Sequence, residues 1–99
     1  MNTIQLIGRL TKDPEVTETK GGTKLTTLRL AVPRPDRDQD PVYVDVVAFN
    51  AQAEALAEHL AKGREVAVTG RLDYQEWSDG EGAKHSRHRV VGATVDFLR

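Results

Sequence analysis

The stretch Pro41-Val42-Tyr43-Val44-Asp45-Val46-Val47-Ala48-Phe49 decides how the rest of this chain is read. It is an unbroken run of β-branched and aromatic residues. A period of two puts Tyr43, Asp45, Val47 and Phe49 on one face and Val44, Val46 and Ala48 on the other. The second face is wholly small and apolar, as a core requires. The first carries two aromatic rings with a charge between them, a surface suited to meeting something flat. Directly after it, Asn50 is placed to cap a short helix whose apolar positions Ala53, Leu56, Ala57 and Leu60 follow i, i+3, i+4, i+7, with Gly63 placed to end it.

Towards the C-terminus, Glu65 to Trp77 reads as a long strand with Val66, Val68, Gly70, Leu72 and Tyr74 on one face and Thr69, Arg71, Asp73, Gln75 and Trp77 on the other. Ser78-Asp79-Gly80-Glu81-Gly82-Ala83 is a hairpin tip, and Arg89, Val91, Ala93, Val95 and Phe97 alternate along a last strand. Towards the N-terminus, Pro33 to Pro41 holds three prolines, two arginines and three aspartates and reads as a mobile loop. Asp36, Asp38 and Asp40 resemble the start of a calcium loop. That reading fails, because Pro41 stands where the turn glycine is needed and Val47 where the bidentate Glu is needed.

Before the loop, Lys24 to Val32 alternates Leu28, Leu30 and Val32 inward against Thr27, Arg29 and Ala31 outward, as the return arm of a hairpin turned at Gly21-Gly22. Val16 to Thr19 is its extended first arm, set off by Asp13-Pro14. Ile4, Leu6, Gly8 and Leu10 alternate with Thr3, Gln5, Ile7 and Arg9 in the first strand, where Ile7 is an extra apolar residue fit to cover a partner chain. Gly8 inside it predicts a bulge or a close backbone approach, as where a strand bends round a small barrel.

The order is three strands, a helix, two strands. An all-β chain of five antiparallel strands, with one short helix between the third and fourth, has the layout of the OB-fold, a partly open Greek-key barrel. An SH3-like barrel and a two-layer α+β sheet are the alternatives, and the helix position favours neither.

The totals bound the function. Residues 1–99 make one domain with one core and no visible repeat. Fourteen basic side chains against fifteen acidic exclude a strongly basic binding domain, a mild argument against a nucleic-acid partner unless the charges are unevenly distributed. With no cysteine there is no disulfide, thiolate nucleophile or Cys-based zinc site. No basic n-region or long apolar run marks a signal peptide or membrane span, so the cytoplasm is the default location.

Catalytic constellations are missing as well. His59 falls on the polar helix face, and His85 and His88 flank a hairpin with no carboxylate at ligand spacing. Gly22-Thr23-Lys24 has the wrong order for a phosphate loop and no helix follows it. No Ser-His-Asp or paired-carboxylate pattern is present, so an enzyme is rejected, and no cofactor or metal is expected. What remains is the aromatic set. Tyr43, Phe49 and Trp77 all point away from the core faces of their strands, either packing under a loop or across a subunit interface, or forming a stacking platform worth about 1–3 kcal/mol per base. Alternation alone does not separate the two. Arg9, Arg29, Arg71, Arg87 and Arg89 are the candidate phosphate contacts, although each taken singly reads as an ordinary surface charge.

Over nearly its whole length the chain resembles the bacterial and mitochondrial single-stranded DNA-binding proteins. The resemblance rests on Gly8-Arg9-Leu10 and Asp13-Pro14-Glu15, the Gly21-Gly22 hairpin, Leu28-Arg29-Leu30-Ala31, and Val46-Val47-Ala48-Phe49 running into the helix. Lys62-Gly63, Gly70-Arg71-Leu72 and Trp77-Ser78-Asp79 complete it. It implies an OB-fold, sequence-tolerant binding of single-stranded DNA in replication, recombination and repair, and a bacterial nucleoid setting. It also implies base stacking by Tyr43, Phe49 and Trp77, and a homo-oligomer, more a tetramer than a dimer, formed partly through Thr3, Gln5 and Ile7 of the first strand.

This chain departs from the family pattern at several places. Asp36 or its neighbours stand where many members carry a further tryptophan, and Val44 stands where many have an interface histidine. Asp45, Asp73, Gln75 and Glu76 replace commonly basic residues, which predicts weaker binding, more easily lost with salt. The chain ends at Arg99, where members generally continue into a flexible linker and an acidic tip, so tip-mediated recruitment of replication and repair proteins is not expected of it. Two rival readings stay open: a primosome-type OB paralogue working as a dimer in replication restart, and an OB-fold module whose aromatic face docks a protein partner.

Overall fold

The alternating apolar positions converge on one core, in which Leu28, Leu30, Val46, Val66, Val68 and Val90 are fully buried and Leu10, Leu56 and Leu60 nearly so. The computed structural model describes residues 1–36 and 39–98, so Arg37, Asp38 and Arg99 lie outside the description that follows. The elements are β1 (Ile4–Leu10), β2 (Glu15–Glu18), β3 (Lys24–Val32), β4 (Val42–Phe49), α1 (Asn50–His59), β5 (Glu65–Ser78) and β6 (Lys84–Phe97).

Six strands make a ring of five sides. The order is β1-β5-β6-β4-β3-β2, and an additional β1–β3 pairing closes it. β1 and β2 run antiparallel along the same edge of β3, β1 through Arg9–Ala31 and Leu10–Leu30 and β2 from Glu15–Thr27 to Glu18–Lys24. They are two halves of one side, interrupted at Asp13-Pro14. The five-sided ring with a helix after its third side is the OB-fold layout.

Closure depends on Gly8. β1 is paired to β5 from Ile4 to Arg9 and passes onto β3 at Arg9. There a Cβ on Gly8 would stand 2.8 Å from the Ala31 carbonyl oxygen, closer than any side chain tolerates.

Three expectations are corrected. The barrel is not wholly antiparallel, because β4 and β6 pair in parallel through Val46–Val90 and Val47–Val91. The core face of β6 is not that of Val91, and the side chain of Ala93 lies outside the description. Thr69 pairs with Thr94 but Gly70 with Gly92, so β6 carries one extra residue and its alternation changes parity. Val90 and Gly92 face the core before the irregularity and Val95 packs against it afterwards. Finally, α1 begins at Asn50 itself, with extended Phe49 in the capping position, and it ends at His59, with extended Leu60 as its C-cap. Gly63 lies three residues beyond Leu60, in a turn whose N–H donates to the Leu10 carbonyl (2.8 Å). The helix sets Leu56 and Leu60 into the core, and the Lys24–Glu54 ion pair (2.7 Å) ties its outer side to the β2–β3 hairpin.

Candidate nucleic-acid interface

Cross-strand partners point to the same side of a sheet, so the register itself assembles a surface. On the outside of β3 and β4 the partner pairs are Leu25 with Phe49, Thr27 with Val47, Arg29 with Asp45 and Ala31 with Tyr43. The parallel contact puts Val47 beside Val91. On the same side of the β5–β6 hairpin, Arg71 partners Val91, Asp73 partners Arg89, Gln75 partners Arg87 and Trp77 partners His85. One face therefore carries Tyr43, Phe49, Trp77, Arg29, Arg71, Arg87 and Arg89. Arg9 joins it through Ala31, its partner on β3 and in turn the partner of Tyr43.

Tyr43 and Trp77 are about half exposed (53% and 45%), and Phe49 is less so. Tyr43 and Phe49 lie six residues apart on β4, roughly 20 Å at strand spacing. The face between them is not uniformly open: Val47 is 3% exposed, although alternation puts it with the rings and not with the core. It is flanked in register by Thr27 and Val91, a small apolar floor between two rings.

Each exposed ring already has a polar neighbour. The Arg29 guanidinium lies 5.4 Å from the centroid of Tyr43, and Arg87 lies 5.4 Å from that of Trp77. His85 stacks on Trp77 at 5.5 Å and 23° between planes. The imidazole is held by Asp79 (Nε2 to Oδ2, 2.9 Å), whose other carboxylate oxygen accepts from the backbone N–H of Glu81 and of Ala83. These bonds, the one from His85 foremost, hold the Asp79 carboxyl below its ordinary range. The tip of the hairpin is thus tied to the ring beside it.

The arginines are less alike than their sequence positions imply. Arg29 pairs with Asp45 (3.1 Å), and Asp73 holds both Arg89 (3.1 Å) and Arg71 (3.8 Å). Arg9 donates to the Gly63 carbonyl (3.2 Å) and stands 3.8 Å from Glu65. Arg87 instead donates to the neutral amide oxygen of Gln75 (3.1 Å).

Residues predicted for subunit contact are more scattered. Gln5 and Ile7 are exposed on the outside of β1, Ile7 at 54%, and Thr3 is exposed just before it, whereas Val44 is half-buried against the core. Residues 4–8 pair with β5 on one side, and among the described residues their other edge meets no strand before Arg9.

A second ring pair escaped the sequence reading. Tyr74 and His88 partner each other on the opposite side of the hairpin, centroids 4.9 Å apart, with Tyr74 half exposed and its hydroxyl donating to Glu76 (2.8 Å). Alternation had assigned Tyr74 to the core face. The three histidines do not converge: His85 and His88 lie on opposite sides of the hairpin, and His59 lies on α1, 6.3 Å from Phe97.

The family model of the single-strand binding protein family matches residues 1–98. The chain belongs to this family. Among relatives, the single-stranded DNA-binding protein of Clostridium tetani is 38% identical over 99% of this chain and 70% of its own length. That of Helicobacter hepaticus is 34% identical over 98% of this chain, which spans 61% of it. Single-stranded DNA-binding protein 2 of Staphylococcus aureus is 38% identical over 99% of this chain and 73% of its own length. The single-strand binding protein family is a family of DNA-binding proteins, not of enzymes. Among the described residues no helix is long and apolar enough to cross a membrane.

Proposed function

We propose that this chain binds single-stranded DNA, with little regard to sequence, along the outer face of β3, β4 and the β5–β6 hairpin. Bases stack on Tyr43, Phe49 and Trp77, and Arg9, Arg29, Arg71, Arg87 and Arg89 face the phosphates. The observation that carries the reading is the register, which gathers three aromatic rings and four arginines from four strands onto one side of the sheet. Stacking tolerates any base because each has a π-face, and arginine contributes both charge and a planar surface. The relatives' printed names agree with it.

The working form is a homo-oligomer, more a tetramer than a dimer, in which the open edge of β1 with Thr3, Gln5 and the exposed Ile7 meets another copy and Val44 lies at the margin. Its setting is the cytoplasm, in replication, recombination and repair.

Trp77 is the chain's single tryptophan, so intrinsic fluorescence reports on the site. Titration with a thymine homopolymer is expected to quench it strongly, and a duplex of equal length weakly. No quenching by either, with flat anisotropy of a labelled oligonucleotide at low salt, would turn the face over to a protein partner.

A further inference from the structure

Asp45 and Asp73 are chemically out of place on a surface that meets phosphates, and both are engaged there. Asp45 sits directly opposite Arg29 and Asp73 directly opposite Arg89, each pair at 3.1 Å, with Arg71 on the second oxygen of Asp73. The Arg89–Asp73 pair is the less accessible, its side chains 13% and 28% exposed.

We infer that these two carboxylates act as internal substitutes for phosphate, neutralising Arg29, Arg71 and Arg89 so that Arg87 is the dominant electrostatic contact to the strand. The inference rests on the proposed binding of single-stranded DNA to this face.

The physical reason is exchange. An arginine that leaves a carboxylate for a phosphate releases a counterion from the DNA, but the abandoned carboxylate takes one up and repels the incoming strand. The net ion release is small. An arginine bonded to a neutral amide neutralises a phosphate outright, and for single strands each such contact adds about 0.7 to the slope of log K against log salt. Of the five candidate arginines, Arg9 also donates to a neutral carbonyl, that of Gly63, but has Glu65 at 3.8 Å. That leaves Arg87, bonded to Gln75 and lying over Trp77, as the one without a carboxylate beside it among the described residues. Binding is therefore weakened at low salt by the acidic residues and is less sensitive to added salt than a count of five arginines implies. This reverses the expectation that the acidic substitutions make binding more easily lost with salt.

The test is a fluorescence titration of the whole chain with a thymine oligonucleotide across a series of salt concentrations, each variant first checked for an unchanged melting temperature. Asp73→Asn and Asp45→Asn are expected to tighten binding several-fold at low salt and to steepen the slope, by up to about 0.7 for each arginine released. Arg87→Gln flattens the wild-type slope by about 0.7. Arg29→Gln flattens it more in the Asp45→Asn background than in the wild type. Wild-type binding with slopes and affinities untouched by both Asn variants overturns the inference alone. A folded wild type that binds no oligonucleotide even at low salt removes the DNA reading, and this inference with it.

Discussion

The β5–β6 ladder is one continuous pairing from Val66–Phe97 to Ser78–Lys84, yet its two halves live in different environments. Inside the barrel, Val66 and Val68 are buried to within 1% and β1 covers the ladder on one side. Beyond Gly70 the same alternation continues, but Leu72 and Tyr74 are 43% and 49% exposed although they lie on the core-facing side. The difference is coverage. β1 ends its pairing with β5 at Gly70, and β4 pairs with β6 only through Val90 and Val91 among the described residues, so the outer half is a two-stranded ribbon with both faces wet. Alternation tells which way a side chain points; only a third strand or a helix decides whether that direction is inside.

The comparison breaks most sharply in the barrel half. Leu30→Ala, in a fully buried position, should cost about 2–5 kcal/mol in chemical denaturation. The folded fraction should still bind oligonucleotide as the wild type does. Gly70→Ala acts at the boundary: its Cβ would overlap the Val91 carbonyl, and a loss of about 3 kcal/mol in thermal unfolding is expected from that overpacking. Full stability of this variant would mean that the ladder can part at its irregular pairing without cost.

In the outer half the effects change kind. Trp77→Ala should weaken oligonucleotide binding by about 1–3 kcal/mol, while stability stays within about 0.5 kcal/mol of the wild type. The reverse outcome, intact affinity with a large fall in melting temperature, would assign the ring to packing. The smallest effect is acid loosening of the hairpin tip. Because the folded Asp79 carboxyl lies below its usual value near 3.8, its contribution is complete above that pH and is lost as pH falls through the folded value. Amide signals of Glu81 and Ala83 should hold steady between about pH 8 and 5 and shift only below about pH 4. A change already near pH 6 would mean that the Asp79 carboxyl does not hold the tip.

The same division runs through what could be read in advance. β3 was legible end to end, because Leu28 and Leu30 alternate with polar partners between a Gly-Gly turn and a proline. The helix was legible through Leu56 and Leu60, but not its first residue, since extended Phe49 takes the capping place. Strand parity turned Tyr43 and Trp77 away from the core faces of their strands, but did not tell whether anything covers them. Val47 could not be picked as buried, nor Tyr74 as exposed, because both depend on which strands arrive alongside. The ion pairs were equally hidden. Asp45 and Asp73 are visible as acidic residues in the sequence, but Arg29 and Arg89 are each sixteen positions away from their partners.

Periodicity and turn residues alone determined the strand–helix order and which residues share a face along β1, β3, β4 and β5, since these follow from local backbone geometry. Tertiary structure decided the parallel β4–β6 contact, the irregularity that shifts parity at Gly70, and the pairing of arginines with carboxylates. Those depend on register between strands remote in the chain, which is set when the barrel closes and the core volume is filled.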